Sequence, residues 1–146
     1  MTTPLVYVLN GPNLSRLGSR EPEIYGSQTL DDVADLLSQE ADSLGLAIDF
    51  RQTDDEAELI GWIHEAVDAG ADVVVNPAAF THYSYAVRDA CALVTAAGAR
   101  LIEIHLSNPA AREEFRHTSV ISGVATGTIA GFGSLSYLLA LRALAR

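Results

Sequence analysis

The side chains best suited to chemistry follow three apolar, strand-like segments of the sequence. Asn10 ends the run LVYVLN, Asn76 ends DVVVN, and His105 ends RLIEIH. Each is followed by a segment rich in small or polar residues, and His82 lies in the second of these segments. One asparagine at a strand end is an ordinary turn residue. Three polar endings with two histidines instead predict a binding site where the strand ends meet.

Arginine supplies all 9 basic residues of the chain, and no lysine is present. Arg20 lies in a long loop over residues 11–28, which also holds Tyr25. Arg112 and Arg116 are four residues apart, so they would be neighbours on a helical turn. Their simplest alternative role is ion pairing with the adjacent Glu113 or Glu114. Several arginines beside histidine and asparagine side chains suit a small anionic, hydroxylated substrate.

The same residues exclude several classes of protein. Without lysine the chain cannot form a Schiff base, attach pyridoxal phosphate or build a Walker-type phosphate loop. A dinucleotide site is not expected because no G-x-G-x-x-G follows the first strand. A phosphate-accepting receiver would need an acidic cluster after that strand and a lysine after the last. His82, His105 and Asp89 match no common spacing of metal ligands, so we expect no metal.

Composition limits the remaining possibilities. A chain of 146 residues has the length of one domain, and 49% hydrophobic residues are enough for a core. The net charge of −10 argues against binding to nucleic acid or to an anionic membrane. Cys91 is the single cysteine, and no signal peptide or membrane-spanning run is visible. We therefore expect one cytoplasmic domain over residues 1–146.

The hydrophobic pattern alternates between strands and helices, which predicts an α/β fold with a mostly parallel sheet. Strands are predicted at 5–10, 46–52, 72–76, 100–105 and 120–131. The first long helix begins after Thr29, with Asp32 as a capping-box partner, and stops at Gly45. The second is expected to be capped by Thr53 with Glu56. Further helical segments are predicted at 84–97, 109–115 and 135–145.

Several ordered stretches resemble type II 3-dehydroquinate dehydratase. They are 10–14 (NGPNL), 20–26 (REPEIYG), 76–89 (NPAAFTHYSYAVRD), 103–116 (EIHLSNPAAREEFR) and the tail around 125–133. The resemblance covers essentially the whole chain. One departure is the segment Pro-Ala-Ala-Phe after Asn76, where many relatives carry glycine. The resemblance implies a flavodoxin-like three-layer sandwich with a five-stranded parallel sheet.

The resemblance also implies an activity, the dehydration of 3-dehydroquinate to 3-dehydroshikimate by anti elimination through an enolate. This reaction uses no cofactor, no metal and no Schiff base, in agreement with the missing lysine. It serves the shikimate pathway of aromatic amino acid biosynthesis, quinate breakdown, or both. The implied assembly is a dodecamer of four trimers, in which Asp89 reaches the site of a neighbouring subunit.

The matching motifs imply a role for each site residue. Tyr25 would be the base that removes the C2 proton, and His105 the acid that protonates the departing hydroxyl. Asn13 would hold a water against the enolate oxygen, and Arg20 would support the transition state electrostatically. The implied substrate-binding residues are Asn76, His82, Asp89, Leu106, Ser107, Arg112 and Arg116. Leu106 and Ser107 would act through their backbone N–H groups.

Two other classes of protein remain as alternatives. A flavodoxin-like module that binds FMN would need a Ser/Thr/Gly loop after the first strand, where this chain has Pro12, Leu14 and Arg16. A structural subunit without activity would have no need of the Tyr25 and His105 pair. Colour separates the first alternative from the dehydratase, because a purified FMN protein is yellow.

Overall fold

The computed structural model describes residues 3–19 and 21–145, with the side chain of Tyr25 also outside the described part. Within these ranges five strands form one sheet, in the order β2-β1-β3-β4-β5. All neighbouring strands pair in parallel. The order reverses between β1 and β3, as in flavodoxin-like folds. The strands are β1 (Leu5–Asn10), β2 (Ala47–Gln52), β3 (Asp72–Asn76), β4 (Leu101–His105) and β5 (Gly127–Ala130).

Four helices cover the two faces of this sheet: α2 (Leu30–Leu44), α3 (Glu56–Ala69), α4 (Tyr85–Ala96) and α5 (Leu135–Leu144). The short helix α1 (Pro22–Tyr25) lies in the loop after β1. Side chains of α2 and α5 pack with one set of strand residues, such as Val8 and Ile104. Side chains of α3 and α4 pack with the alternate set, such as Leu9 and Val75. The expected three-layer α/β sandwich with a five-stranded parallel sheet is confirmed.

Local signals predicted most element ends to within a residue. The hydroxyl of Thr29 accepts the N–H of Asp32, and the Asp32 carboxylate accepts the N–H of Thr29. This is the expected capping box. Gly45 ends the same helix with a φ of 71°, a left-handed conformation that glycine adopts without strain.

The predicted cap of α3 is wrong. Its N-terminal cap is Asp55, whose carboxylate accepts the N–H of Ala57 at 2.9 Å. The hydroxyl of Thr53 instead accepts the N–H of Asp55 at 3.0 Å. Asp55 lies next to the first helical residue, so Thr53 closes the turn before the helix.

The last predicted strand is too long. The segment 120–131 pairs with β4 only over Gly127–Ala130. The hydroxyl of Ser119 accepts the N–H groups of Ile121 and Ser122, which folds the chain into a turn. The N–H of Val120 bonds to the carbonyl of Thr81 at 2.8 Å instead of to a strand. Hydrogen bonds to the Ser119 hydroxyl and to the Thr81 carbonyl thus replace a β-ladder here.

The predicted helical turn at 109–115 is two short 3₁₀ helices, Pro109–Ala111 and Glu114–His117. Asn108 caps the first of them, and Arg112 interrupts the pair with extended backbone. The loop 11–28 also contains a 3₁₀ helix, Leu14–Arg16, before α1. No helix among the described residues is long and apolar enough to cross a membrane.

Candidate active site

A pocket opens at the carboxyl edge of the sheet, and the loops after β1, β3 and β4 line it. It lies at the point where the strand order reverses, where ligands bind in open α/β sheets. The sequence-predicted residues that line it are Asn13, Asn76, His82, His105, Leu106, Ser107, Arg112 and Arg116. Two of the three polar strand ends, Asn76 and His105, therefore line the pocket, whereas Asn10 does not.

Glu103 places a fully buried carboxylate next to the pocket. Its Oε2 lies 2.6 Å from Nε2 of His105 and accepts a hydrogen bond from the hydroxyl of Thr81. The hydroxyl of Ser119 is 3.0 Å from both carboxylate oxygens, and that of Ser122 is 2.6 Å from Oε1. Each carboxylate oxygen therefore has a partner, as a buried charge requires.

These hydrogen bonds decide the ionisation of Glu103. Burial by itself would raise the pKa of the carboxyl, but the hydrogen bonds from His105, Ser122 and Thr81 outweigh it and hold the pKa below its ordinary value. An ionised carboxylate can only accept, so Nε2 of His105 must carry a proton. Glu103 thereby fixes the orientation and tautomer of the ring, and Nδ1 is the nitrogen that can exchange a proton with a ligand.

His82 also lines the pocket, and a backbone carbonyl holds its ring. Its Nδ1 lies 2.9 Å from the carbonyl oxygen of Thr118, and its ring packs edge-on against Phe115. Burial lowers the pKa of His82, and the charges of His105 and Arg116 lower it further. Neutral His82 then carries its proton on Nδ1 and can accept a hydrogen bond at Nε2.

Two guanidinium groups give the pocket positive charge in an acidic protein. Arg112 donates to the hydroxyl of Ser107 at 3.2 Å and lies 3.7 Å from Glu21, next to α1. Arg116 bonds Glu113 at 3.2 Å and stacks on the ring of Phe115. Both side chains are largely buried, so neighbours hold them in position beside the pocket. The alternative role, ion pairing with Glu113, is thus present, and both arginines line the pocket as well.

Asn13 begins the pocket wall in a left-handed conformation with a φ of 69°. Asparagine tolerates this region better than most residues. Its N–H donates to the Asp54 carboxylate at 2.8 Å, which fixes the turn. Two residues earlier, a Cβ on Gly11 would lie 2.6 Å from the carbonyl oxygen of Pro77. Glycine is therefore required where the loops after β1 and β3 touch.

Asn76 lines the pocket from the end of β3, and it is almost fully buried. Its Nδ2 donates to the hydroxyl of Tyr137 at 3.0 Å, and its Oδ1 accepts the N–H of Ala78 at 3.2 Å. Ala78 has a φ of 51°, which is unfavourable for a residue with a side chain. The side chain of Asn76 thus holds a strained turn that also lines the pocket.

Of the remaining predicted site residues, one lies away from the pocket lining and two fall outside the described part of the chain. Asp89 lies on α4, does not line the pocket, and pairs with Arg88 at 2.8 Å with 71% of its side chain exposed. Arg20 lies outside the described residues. The backbone of Tyr25 ends α1, and its side chain lies outside the described part.

Sequence reasoning missed Glu103 and Tyr137 as site residues. Glu103 carried a usable signal, because an acid inside the apolar run RLIEIH, two residues before His105, lies on the same face of the strand. Tyr137 gave none, since it lies 61 residues after Asn76 in an ordinary apolar helix. In the described ranges, His, Cys and acidic residues form no group of three or more that could hold a metal ion.

Fold and pocket together define a flavodoxin-like α/β protein with a cationic site at the carboxyl edge of its sheet. The family model "Dehydroquinase class II" matches residues 4–145. A "3-dehydroquinate dehydratase" of Salinispora tropica is 61% identical over 140 residues, 96% of each chain. The type II dehydroquinase structure from Propionibacterium acnes superposes with a TM-score of 0.93 at 53% identity, over 99% of this chain and 97% of that one. The one from Butyrivibrio crossotus also gives 0.93, at 40% identity over 97% of each chain.

The chain belongs to the class II dehydroquinase family. The resemblance seen in the sequence motifs is therefore confirmed.

Proposed function

We propose that this protein dehydrates 3-dehydroquinate to 3-dehydroshikimate by anti elimination through an enolate, without a Schiff base, a cofactor or a metal. The observation that carries the proposal is the pair of His105 and Glu103 beside a pocket that also holds Arg112 and Arg116. This combination offers a proton donor and positive charge to a small hydroxylated carboxylate.

His105 is the proposed general acid. The buried Glu103 carboxylate accepts from Nε2–H and orients the ring. In the proposed step His105 starts as the imidazolium, delivers the proton from Nδ1–H and is left neutral. The C1 hydroxyl of the substrate receives this proton and leaves as water. The electron pair for the new C1–C2 double bond comes from the enolate formed in the preceding step.

Tyr25 is the proposed base, which accepts the C2 proton as a phenolate. A tyrosine has a pKa of about 10 in water, so nearby positive charge must favour the ionised form. Arg20 and Arg112 are the proposed sources of this charge. The ion pair between Arg112 and Glu21 supports this assignment, because Glu21 precedes the helix that carries Tyr25.

The enolate oxygen is stabilised by a water molecule that Asn13 holds. Hydrogen bonds aimed at a developing oxyanion contribute roughly 3–4 kcal/mol each. The left-handed turn at Asn13, fixed by Asp54, supports the role because it places a polar side chain on the pocket wall.

The remaining pocket residues bind the substrate. Asn76, His82 and Arg116 take its hydroxyl groups and carboxylate, with Arg112 beside them. The backbone N–H groups of Leu106 and Ser107 bind the carboxylate. All six residues line one pocket, which supports their joint assignment.

Asp89 completes the site of a neighbouring subunit in a dodecamer built from four trimers. Its exposed position on α4 supports this role, because Asp89 does not line the pocket of its own chain. Tyr83 and Tyr85 lie nearby in sequence and expose 60% and 72% of their surface. Exposed aromatic residues are typical of protein–protein interfaces.

We further propose that residues 1–146 act as one catalytic domain in the cytoplasm. The described residues form one five-stranded sheet, which supports one domain, and the lone, buried Cys91 is compatible with a reducing compartment. The net charge of −10 makes nucleic acid and anionic membranes poor partners. The reaction serves aromatic biosynthesis, quinate breakdown, or both.

The test is a direct assay of the purified protein with 3-dehydroquinate. The ultraviolet absorbance of the conjugated enone product should rise with time, and borohydride should not inactivate the enzyme. A His105→Asn variant that folds normally should lose turnover by about 10²-fold or more. Absence of product from the folded protein would reject the proposed function.

A further inference from the structure

The hydroxyl of Tyr137 is buried in the core and joins the ends of β1 and β3. Tyr137 is fully buried among residues of α2, α5 and the sheet. Its hydroxyl lies 2.5 Å from Oδ1 of Asn10 and 3.0 Å from Nδ2 of Asn76. Burying a hydroxyl is costly unless it is hydrogen-bonded, and a phenylalanine would fill nearly the same space. The two bonds therefore need an explanation beyond packing.

The polarity of this chain of hydrogen bonds is fixed by two backbone groups. At one end the carbonyl of Arg51 can only accept, and it takes a hydrogen from Nδ2 of Asn10 at 2.9 Å. This turns Oδ1 of Asn10 towards Tyr137, whose single hydroxyl hydrogen must then be donated to it. The tyrosine oxygen is left to accept, so it receives a hydrogen from Nδ2 of Asn76.

The backbone at the other end of this chain of hydrogen bonds requires the same orientation of the Asn76 amide. The backbone N–H of Ala78 can only donate, and it bonds Oδ1 of Asn76 at 3.2 Å. Both neighbours therefore require the same orientation of the Asn76 amide. Reversing that amide would set its oxygen against the oxygen of Tyr137 and its NH₂ against the N–H of Ala78, so both hydrogen bonds would be lost.

We propose that Tyr137 is a positioning residue that sets which way the Asn76 amide faces in the pocket. The inference rests on the proposed function, in which Asn76 binds the substrate. Asn76 lines the pocket, whereas Tyr137 does not. The carbonyl of Arg51 orients the amide of Asn10, which in turn orients the hydroxyl of Tyr137. That hydroxyl then orients the amide of Asn76 at the ligand site.

A double-mutant cycle tests this role. Tyr137→Phe should lower kcat/KM by about tenfold, chiefly through a higher KM, because it frees a binding group. The same change in an Asn76→Ala background should have less than about a twofold effect. Partial unfolding would instead lower kcat at constant KM, and equally in both backgrounds. That additive result, or an unchanged KM, would overturn the proposal.

Two further variants make the test robust. Asn10→Ala removes the acceptor of the Tyr137 hydroxyl without touching the pocket lining, and it should raise KM in the same way. Tyr7→Phe is the matched control, because Tyr7 is a buried tyrosine that packs on the opposite face of the sheet. Its kcat/KM should stay within about twofold of wild type. A rise in KM for the control alone would contradict the assignment.

A neutron diffraction structure of the wild-type protein examines the proton positions without any variant. It should place the Tyr137 deuteron towards Asn10 and a deuteron of Asn76 Nδ2 towards Tyr137. The reverse placement would refute the polarity argument. A wild-type protein that shows these deuterons but does not dehydrate 3-dehydroquinate would reject the proposed function alone.

Discussion

Nε2 of His105 lies 2.6 Å from Oε2 of Glu103, and the two residues share one face of β4. The strand therefore carries both the proposed acid and the carboxylate that orients its ring. Hydroxyls of Thr81, Ser119 and Ser122 from two other segments complete the surroundings of the carboxylate. Buried groups thus hold the proposed acid, His105, in position. Its other ring nitrogen, Nδ1, is left to interact with a ligand.

Replacing Glu103 by glutamine should test this relationship directly. The amide keeps the shape of the side chain but removes the charge that fixes Nε2 as a donor. We expect kcat to fall by about 10²-fold, the usual scale for general acid catalysis, with a smaller change in KM. Steady-state kinetics over a range of pH measure both. The exposed Glu58→Gln on α3 is the control, and equal kcat values for the two variants would contradict the role of Glu103.

Glu103 should also link stability to pH. Its pKa lies below the ordinary value of 4.5 in the folded chain, because its hydrogen bonds outweigh its burial. The unfolded chain therefore binds the proton more tightly, so this stabilisation is present above about pH 4.5 and is lost as the pH falls through the folded-state pKa. Urea unfolding at fixed protein concentration should show a shallower acid loss for Glu103→Gln than for wild type. Parallel curves for the two proteins would contradict this.

Much of the fold follows from local sequence signals. Strands β1 and β3 are short apolar runs bounded by turn residues, and α2 carries both a capping box and a terminal glycine, so their ends were predictable. The bounds of the last strand were harder to predict. The hydroxyl of Ser119 holds the following residues in a turn, although their sequence pattern is typical of a strand. That competition between a side chain and a β-ladder depends on neighbours which the local pattern does not show.

Some residues of the candidate site could likewise be predicted from the sequence, and others could not. His105 and Asn76 could be predicted because parallel strands bring their carboxyl ends to one edge. The bond between Asn10 and Tyr137 joins residues 127 positions apart, and it depends on how α5 packs against the sheet. Periodicity predicts that Tyr137 is buried, but not which group its hydroxyl meets.

Tyr25→Phe tests the proposed base. The change removes the phenolic oxygen and keeps the ring, so turnover should fall by about 10²-fold or more. Binding of a product analogue that does not react should change much less, and calorimetry can measure it. Near-normal turnover in a folded variant would eliminate Tyr25 as the base.

Mixing two inactive variants tests the proposed sharing of Asp89. If each site takes Tyr25 from one chain and Asp89 from its neighbour, co-assembly of Asp89→Ala with Tyr25→Phe chains creates some sites with neither defect. Activity should then rise with the fraction of mixed trimers, measured by native mass spectrometry. Each variant dissociated and reassembled alone is the control and should show no gain. No gain in verified mixed oligomers would mean that Asp89 does not cross between subunits.

The central claim is dehydration by anti elimination at this pocket, and the fate of one hydrogen tests it most directly. Two samples of 3-dehydroquinate carry deuterium at C2, one on the side anti to the departing hydroxyl and one on the same side. Mass spectrometry of the 3-dehydroshikimate should show deuterium lost from the first sample and kept from the second. Retention in the first with loss in the second, or no product from either, would contradict the account.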